Sequence, residues 1–206
     1  MINTLLAYDN ADDDLGTFYA LCALQSKIIL QEIACLYEFD ANLLDRSNIE
    51  NKISDFNGSP FLFIAFSHGL PDALINNSER FICTENAYFF GKSIVYTFAC
   101  HASIELGEAL INEGCHAFLG YDKEVHHVVG YECVFIECIC FALQSMIDGE
   151  NIGTAIKLMQ DKYTYYIDIF DDTGDFILLY NLRKNRDSLR LSGNPSTLLS
   201  TIDFEP

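Results

Sequence analysis

Two reactive side chains, His68 and Cys100, each follow a short apolar run. The first run lies in PFLFIAFSHG and the second in KSIVYTFACHAS. Runs of this length that are rich in Phe, Ile and Val, and are bounded by turn-forming residues, predict buried strands. Functional residues of an open α/β sheet gather at the carboxyl edge, where parallel strands end. If the two strands are neighbours, His68 and Cys100 emerge side by side at that edge.

This pair predicts nucleophilic chemistry. A cysteine is a nucleophile as its thiolate, and a neighbouring imidazole is the usual group that favours the thiolate. We expect the Cys100 sulfur to attack a substrate carbonyl, while His68 donates a proton to the departing amine and later activates water. The backbone N–H groups of Gly69 and Cys100 are candidates for the oxyanion hole, because glycine permits close approach. The mechanism requires no cofactor.

The other cysteines are interpreted as packing residues. Free cysteine behaves as a small apolar core residue, and we prefer this interpretation for Cys22, Cys35, Cys83, Cys133, Cys138 and Cys140. The eight cysteines of the chain show no disulfide-like spacing. In a chain of this size, that pattern favours reduced thiols and an intracellular, cytoplasmic setting.

Metal and nucleotide sites are disfavoured by residue spacing. The nearest approach to a metal-binding set lacks the paired C-x₂₋₄-C and H-x₃₋₅-H spacing of zinc sites. Its members are His101, His116, His126, His127, Cys115 and Cys133. The glycines form neither G-x-G-x-x-G nor G-x-x-x-x-G-K-[ST], which are the phosphate-binding patterns. We therefore expect no metal ion and no nucleotide.

Composition limits the partners. The chain has 206 residues, of which 12 are Lys or Arg and 30 are Asp or Glu, and its net charge is −18. Half of it is hydrophobic, so we expect one globular domain over residues 1–206. Like charge opposes binding to nucleic acid or to an anionic membrane. The amino-terminal residues lack the pattern of a signal peptide. The apolar window Val128–Ile147 is interrupted by Glu132, Glu137 and Gln144, which predicts a buried helix rather than a membrane span.

Strands and helices alternate along the sequence. The predicted strands are Thr4–Tyr8, Phe61–Ser67, Ser93–Ala99, Cys115–Tyr121 and Leu189–Leu191. The predicted helices are Thr17–Tyr37, Asn42–Asp55, Ile104–Asn112, Val128–Asp148, Ile152–Tyr166 and Phe176–Asn185. The segments RFICT and AYFF are expected to form a hairpin, and the tail is expected to be a loop with one further strand. This alternation predicts an α/β fold with a mostly parallel central sheet flanked by helices on both faces.

The two segments that carry His68 and Cys100 resemble the histidine and cysteine motifs of caspase-like (clan CD) cysteine peptidases. The longer segment TFACHASIELGEALINEGCHAFLGYDKEV resembles the CHAT and gingipain-like branch, at Leu106-Gly107, Gly114-Cys115 and Ala117–Gly120. The Cys-His step at Cys100 is similar to that of metacaspases. The tail LRLSGNPSTLL resembles the closing Gly-Asp-Pro motif of the branch, with Asn194 in place of Asp.

This resemblance implies a caspase-hemoglobinase fold and a cysteine endopeptidase that works through a His68–Cys100 dyad and a thioester acyl-enzyme. In the family, the S1 pocket is formed by the loop after the first strand and by the residue two before the cysteine. Many relatives have an acid at the second position, where this chain has Phe98. Asp9 or Asp12, in the loop after the first strand, is the remaining acid candidate. An acidic and an apolar S1 pocket both remain open.

The resemblance also bears on regulation. Caspases have a cleavable linker after the cysteine strand, whereas here Cys100 is followed promptly by a helix and a strand. We therefore expect control by a partner protein rather than self-cleavage. CHAT-like peptidases often work beside such partners in bacterial, including antiviral, defence, and the resemblance implies this setting. Two alternatives remain: a catalytically silent caspase-like module that binds a partner, and an unrelated flavodoxin-like α/β binding protein in which His68 and Cys100 are not close.

Overall fold

A computed structural model describes residues 2–31 and 34–202 of the chain. The strands, in chain order, are β1 (Ile2–Tyr8), β2 (Ala34–Phe39), β3 (Phe61–Phe66), β4 (His68–Leu70), β5 (Ala73–Asn76), β6 (Glu79–Cys83), β7 (Ser93–Phe98), β8 (Ala117–Tyr121) and β9 (Leu189–Gly193). The helices are α1 (Gly16–Leu30), α2 (Arg46–Asp55), α3 (Leu106–Asn112), α4 (Glu132–Ile147), α5 (Ile152–Phe170), α6 (Phe176–Ser188) and α7 (Leu199–Ile202). Short 3₁₀ helices cover Thr84–Phe90 and Asp171–Thr173.

The central sheet has six strands in the order β2-β1-β3-β7-β8-β9. Every neighbouring pair in it is parallel except β8 and β9, which are antiparallel. Strands β4, β5 and β6 form a separate antiparallel sheet that follows β3 in the chain. The prediction of an α/β fold with a mostly parallel sheet is confirmed.

Helices cover both faces of the central sheet, which explains the continuous apolar runs of the sequence. In β3, Leu62, Ile64 and Phe66 pack into one core with residues of α1, α4 and α5. The alternate residues Phe61 and Phe63 pack into a second core with residues of α2 and α3. A strand that is buried on both faces is apolar at nearly every position, so its sequence is a continuous apolar run and does not alternate between apolar and polar residues.

The predicted helix Thr17–Tyr37 is wrong at its carboxyl end. Helix α1 ends at Leu30, and the chain returns as strand β2, which pairs with β1 from Ile2 to Ala7. The last apolar residue that suggested the longer helix, Ile33, lies outside the described residues. The apolar spacing typical of a helix extended past the end of α1, close to the edge strand β2. The backbone pairing of β2 with β1 overrides this local pattern.

Two smaller predictions are also wrong. RFICT belongs to strand β6, but AYFF is part of the 3₁₀ helix Thr84–Phe90 rather than the second strand of a hairpin. The Asn86 side chain stabilises this turn, because it accepts from the N–H of Cys83 at 2.8 Å and donates to the carbonyl of Phe81 at 3.1 Å. The further strand expected in the tail is helix α7 instead.

The segment after β8 differs from the prediction in a way that matters for function. The helix expected from Val128 begins only at Glu132, so residues 122–131 form a loop at the end of β8. No helix among residues 2–31 and 34–202 is long and apolar enough to cross a membrane. The apolar window is instead helix α4, whose buried side is part of the first core.

Candidate active site

His68 and Cys100 lie at matching positions on the carboxyl edge of the sheet. Strands β3 and β7 pair in parallel, with Phe66 opposite Phe98, and each candidate residue follows two positions later. Both side chains face the core that contains helix α1. The His68 ring meets the edge of Tyr19 with 6.0 Å between ring centroids, and Cys100 packs against the same core. Neighbouring strand ends are what the dyad requires, and the contact between the two side chains stays a prediction.

Asp12, in the turn between β1 and α1, holds the imidazole of His68. Its Oδ1 atom accepts hydrogen bonds from the N–H groups of Leu15 at 2.6 Å and Asp14 at 3.0 Å. Its Oδ2 atom lies 2.9 Å from His68 Nε2. One oxygen of the carboxylate therefore closes the turn that starts α1, and the other is directed at the histidine.

The hydrogen bond to Asp12 determines which ring nitrogen carries the proton. Burial alone would raise the pKa of Asp12, but the N–H groups of the turn and the contact with His68 outweigh it and hold the pKa below its usual range. Because an ionised carboxylate only accepts hydrogen bonds, His68 Nε2 must be the donor. In the neutral imidazole, Nδ1 is then the basic nitrogen.

The thiol of Cys100 is half-buried and faces the loop of residues 122–131. The N–H of Val125 donates to Cys100 Sγ at 3.4 Å, and the carbonyl oxygen of Val125 lies 3.9 Å from the sulfur. Burial raises the pKa of the thiol, and the N–H of Val125 lowers it without offsetting the burial. Among the described residues, the thiol bonds to Val125 and the imidazole of His68 bonds to Asp12, and no hydrogen bond joins the two. We interpret this arrangement as the resting state, in which Cys100 is a thiol.

Gly69 lies directly against the backbone of Cys100. A Cβ atom on this glycine would overlap the carbonyl oxygen of Cys100, and it would stand 3.1 Å from Cys100 N and 3.0 Å from the Cβ of Ala99. Contacts this short leave no room for a side chain, so the glycine permits the close approach of the two strand ends. The two backbones predicted for the oxyanion hole are therefore adjacent, while their role remains a prediction.

The backbone after Cys100 is unusual. His101 has a φ of 60°, a conformation that costs a residue other than glycine about 1 kcal/mol. Its N–H donates to the carbonyl of Lys123 at 3.3 Å, and its Nδ1 donates to the carbonyl of Asp122 at 3.3 Å. The turn after the nucleophile candidate is thus tied to the loop that contacts the sulfur.

The three candidates for the S1 pocket lie in different environments. Both oxygens of Asp12 are engaged by the turn and by His68. Asp9 is only 1% exposed, and its Oδ1 atom has no hydrogen-bond partner among the described residues. Phe98 is 2% exposed and packs edge-on against the rings of Phe18 and Tyr121. Of the two acids, Asp9 therefore keeps the unpaired oxygen.

Two solved structures share this architecture. The chain superposes on the crystal structure of the Arg-specific cysteine proteinase gingipain R with a TM-score of 0.65 and 13% sequence identity, over 95% of this chain and 47% of that one. It superposes on the complex of Porphyromonas gingivalis RgpB pro- and mature domains with a TM-score of 0.60 and 14% identity, over 96% of this chain and 48% of the other. The chain has a caspase-like fold.

This likeness confirms the expected caspase-like fold. No family model and no curated protein matches the sequence. The chain spans less than half the length of the two solved structures. Within the caspase-like fold, the parallel neighbours β3 and β7 bring the histidine and the cysteine to one edge.

Sequence reasoning missed the contact between Cys100 and the loop of residues 122–131. Val125 was not a candidate, and neither was Asn185, whose side chain binds the loop from α6 through the backbone of His126. Asn185 and His126 are 59 positions apart, and the local pattern of a single sequence does not indicate which distant residues will be in contact. The acidic segment after β1 was recognised, but its spacing did not show that Asp12 would face His68.

We predict that Asp12→Asn inverts the tautomer of His68. The side-chain oxygen of asparagine can still accept the hydrogen bonds from the N–H groups of Asp14 and Leu15. Its NH₂ group then faces His68 Nε2, so Nε2 must accept a hydrogen bond instead of donating one. Proton-detected ¹⁵N spectra of the imidazole should show the proton on Nε2 in the wild type and on Nδ1 in the variant. The exposed neighbour gives the control Asp13→Asn, which should resemble the wild type. An unchanged tautomer in Asp12→Asn would contradict the assignment.

Proposed function

We propose that this chain is a cysteine endopeptidase in which Cys100 is the nucleophile and His68 the proton carrier. The observation that carries the proposal is the placement of both residues at the ends of paired parallel strands, with Asp12 2.9 Å from the imidazole. The fold shared with gingipain R, an Arg-specific cysteine proteinase, supports it. The substrate is a protein or peptide.

The reaction runs through a thioester. His68 takes the thiol proton at Nδ1, Cys100 Sγ bonds to the carbonyl carbon, and the carbonyl electrons move onto oxygen beside the N–H groups of Gly69 and Cys100. The C–N bond breaks as His68 gives the proton to the leaving amine, which leaves the acyl-enzyme. Water then gives a proton to His68 and attacks the thioester. The C–S bond breaks, the acid is released, and His68 returns the proton to the Cys100 sulfur.

The choice of the P1 residue depends on how deep the S1 pocket reaches. A basic side chain that reaches Asp9 would pair with its unpartnered Oδ1 atom, because a buried carboxylate gains from a charged donor. A pocket that stops above Phe98 would be apolar. Peptide probes with Arg or Leu next to the reactive group distinguish the two: Asp9→Asn should remove a preference for Arg and leave a preference for Leu unchanged.

Control by a partner protein is supported by two observations. Helix α3 begins at Leu106 and β8 at Ala117, so there is no long segment to cleave between Cys100 and the strand after it. Helix α6 also presents apolar side chains to solvent, with Phe176 81% and Ile177 68% exposed. Exposed apolar clusters often mark protein interaction sites.

The resemblance to CHAT-like peptidases supports a role beside such a partner in bacterial defence. The eight cysteines are free thiols in the structure, which suits the reducing cytoplasm. If the chain is silent alone and active after a candidate partner is added, control by a partner holds. Activation by a nick near Asp122, with no response to the partner, would show control by cleavage instead.

We predict that a peptide acyloxymethyl ketone labels Cys100. Peptide mass spectrometry should place the adduct on this residue, and Cys100→Ala should abolish it. His68→Ala should slow labelling by about 10²-fold or more, the usual contribution of a positioned acid–base group. The matched control is Cys133→Ala, because Cys133 is an exposed thiol on α4. This variant should label at the wild-type rate.

The same experiment tests the alternative of a catalytically silent interaction module. That alternative is favoured by the resting contacts, in which the thiol bonds to Val125 and the imidazole to Asp12. It predicts no labelling of Cys100 in the chain alone or with candidate partners. Labelling that persists at full rate in His68→Ala would also contradict the dyad, because the cysteine would then react without its base.

A further inference from the structure

The loop of residues 122–131 is the element that touches the sulfur of Cys100. It connects β8 to α4 and passes over the carboxyl edge of the sheet. The N–H of Val125, itself a buried residue, donates to Sγ at 3.4 Å. A donor at this position stabilises a thiolate more than a thiol, because the charged acceptor makes the stronger hydrogen bond. The position of one backbone N–H therefore affects how readily Cys100 ionises.

A single buried side chain fixes the next residue of this loop. Asn185 of helix α6 accepts from the N–H of His126 at 3.1 Å and donates to the carbonyl of His126 at 2.7 Å. Asn185 is fully buried. Because its amide pairs with both the N–H and the carbonyl of His126, it fixes the position and the orientation of the loop backbone beside Cys100.

Two further contacts hold the loop from its sides. Lys184, next to Asn185, lies 3.1 Å from Glu124 Oε2 and 3.1 Å from His126 Nε2. On the opposite side, the ring of His127 stacks on Phe18 of α1, with 4.2 Å between centroids and 7° between planes. The loop is thus held between α6 and α1, while the buried amide supplies its directional hydrogen bonds.

We propose that Asn185 is a positioning residue: it holds His126 so that the preceding N–H, that of Val125, points at Cys100 Sγ and stabilises the thiolate. This inference rests on the proposed function, in which that thiolate is the nucleophile. Asn185 acts through the loop backbone and does not touch the substrate. It is a second support for the site, in addition to the contact of Asp12 with His68.

Other charges around the sulfur must be kept constant in a test. The charges that act on Cys100 are those of Glu124 from the loop and Lys184 from α6, and Tyr19 of α1 also interacts with it. His68 follows the neighbouring strand β3. Glu124 disfavours the thiolate and Lys184 favours it, and the two form a pair with each other. Replacing Asn185 with a neutral residue leaves all these charges in place.

The test is the pH dependence of Cys100 alkylation by iodoacetamide in the full chain. Asn185→Ala should shift the profile to higher pH and slow alkylation about tenfold at neutral pH, as loss of one hydrogen bond to a charged group implies. The rate at high pH, where the thiolate is complete, should be unchanged. The matched control is Asn181→Ala, one turn earlier on α6, whose amide donates to the carbonyl of Ile177 on its own helix. This control should follow the wild-type profile.

Two further measurements decide the matter if Asn185→Ala does not fold. Val125→Pro deletes the donor itself and should give the same shift with Asn185 intact. In the wild-type protein, the amide resonance of Val125 should titrate with the midpoint of Cys100 alkylation. A profile of Asn185→Ala that coincides with the wild type would overturn the inference, and so would faster alkylation at every pH.

Failure of this inference is distinguishable from failure of the proposed function. Iodoacetamide reports the thiolate of Cys100 whether or not the chain cleaves peptides. Normal labelling of Cys100 by the acyloxymethyl ketone, together with an unshifted alkylation profile in Asn185→Ala, would refute only the role of Asn185. A shifted profile without ketone labelling would refute only the peptidase.

Discussion

The parallel pairing of β3 with β7 is the constraint on which the rest of the site depends. Because Phe66 lies opposite Phe98, the two strands end side by side at the carboxyl edge of the sheet. His68 and Cys100 therefore need no long-range adjustment to become neighbours. The close contact of Gly69 with the Cys100 backbone is possible only with glycine at that position. A register shift of one residue would turn one of the two side chains to the other face of the sheet.

Two loops provide the hydrogen bonds that hold the side chains of His68 and Cys100. The turn after β1 directs a carboxylate of Asp12 at the imidazole, and the loop after β8 directs the N–H of Val125 at the sulfur. In the resting structure each reactive group is thus held by a partner of its own. Burial keeps the cysteine in its thiol form. In the proposed function, ionisation of Cys100 depends on His68 and on the N–H of Val125 together, so a change in the position of either loop changes the reactivity of the sulfur.

The predictable part of this architecture is the part buried on both faces of the sheet. Strands β3 and β7 are continuous apolar runs, so their ends, and with them His68 and Cys100, were placed from sequence. Strand β2 was misread as helix because its pairing with β1 is not visible in its own residues. Asp12 was recognised as an acid near the site, but its direction depends on the folded turn. The contact of Asn185 with His126 joins residues 59 positions apart, which local patterns do not report.

In the proposed mechanism, Cys100 carries the acyl group between the two halves of the reaction. The most direct measurement is mass spectrometry of the chain after acid quenching within seconds of mixing with an activated peptide ester. We expect an added acyl mass on the Cys100 peptide that hydroxylamine removes and that Cys100→Ala abolishes. Turnover of the ester with no acyl group on Cys100, or equal acylation in Cys100→Ala, would contradict it.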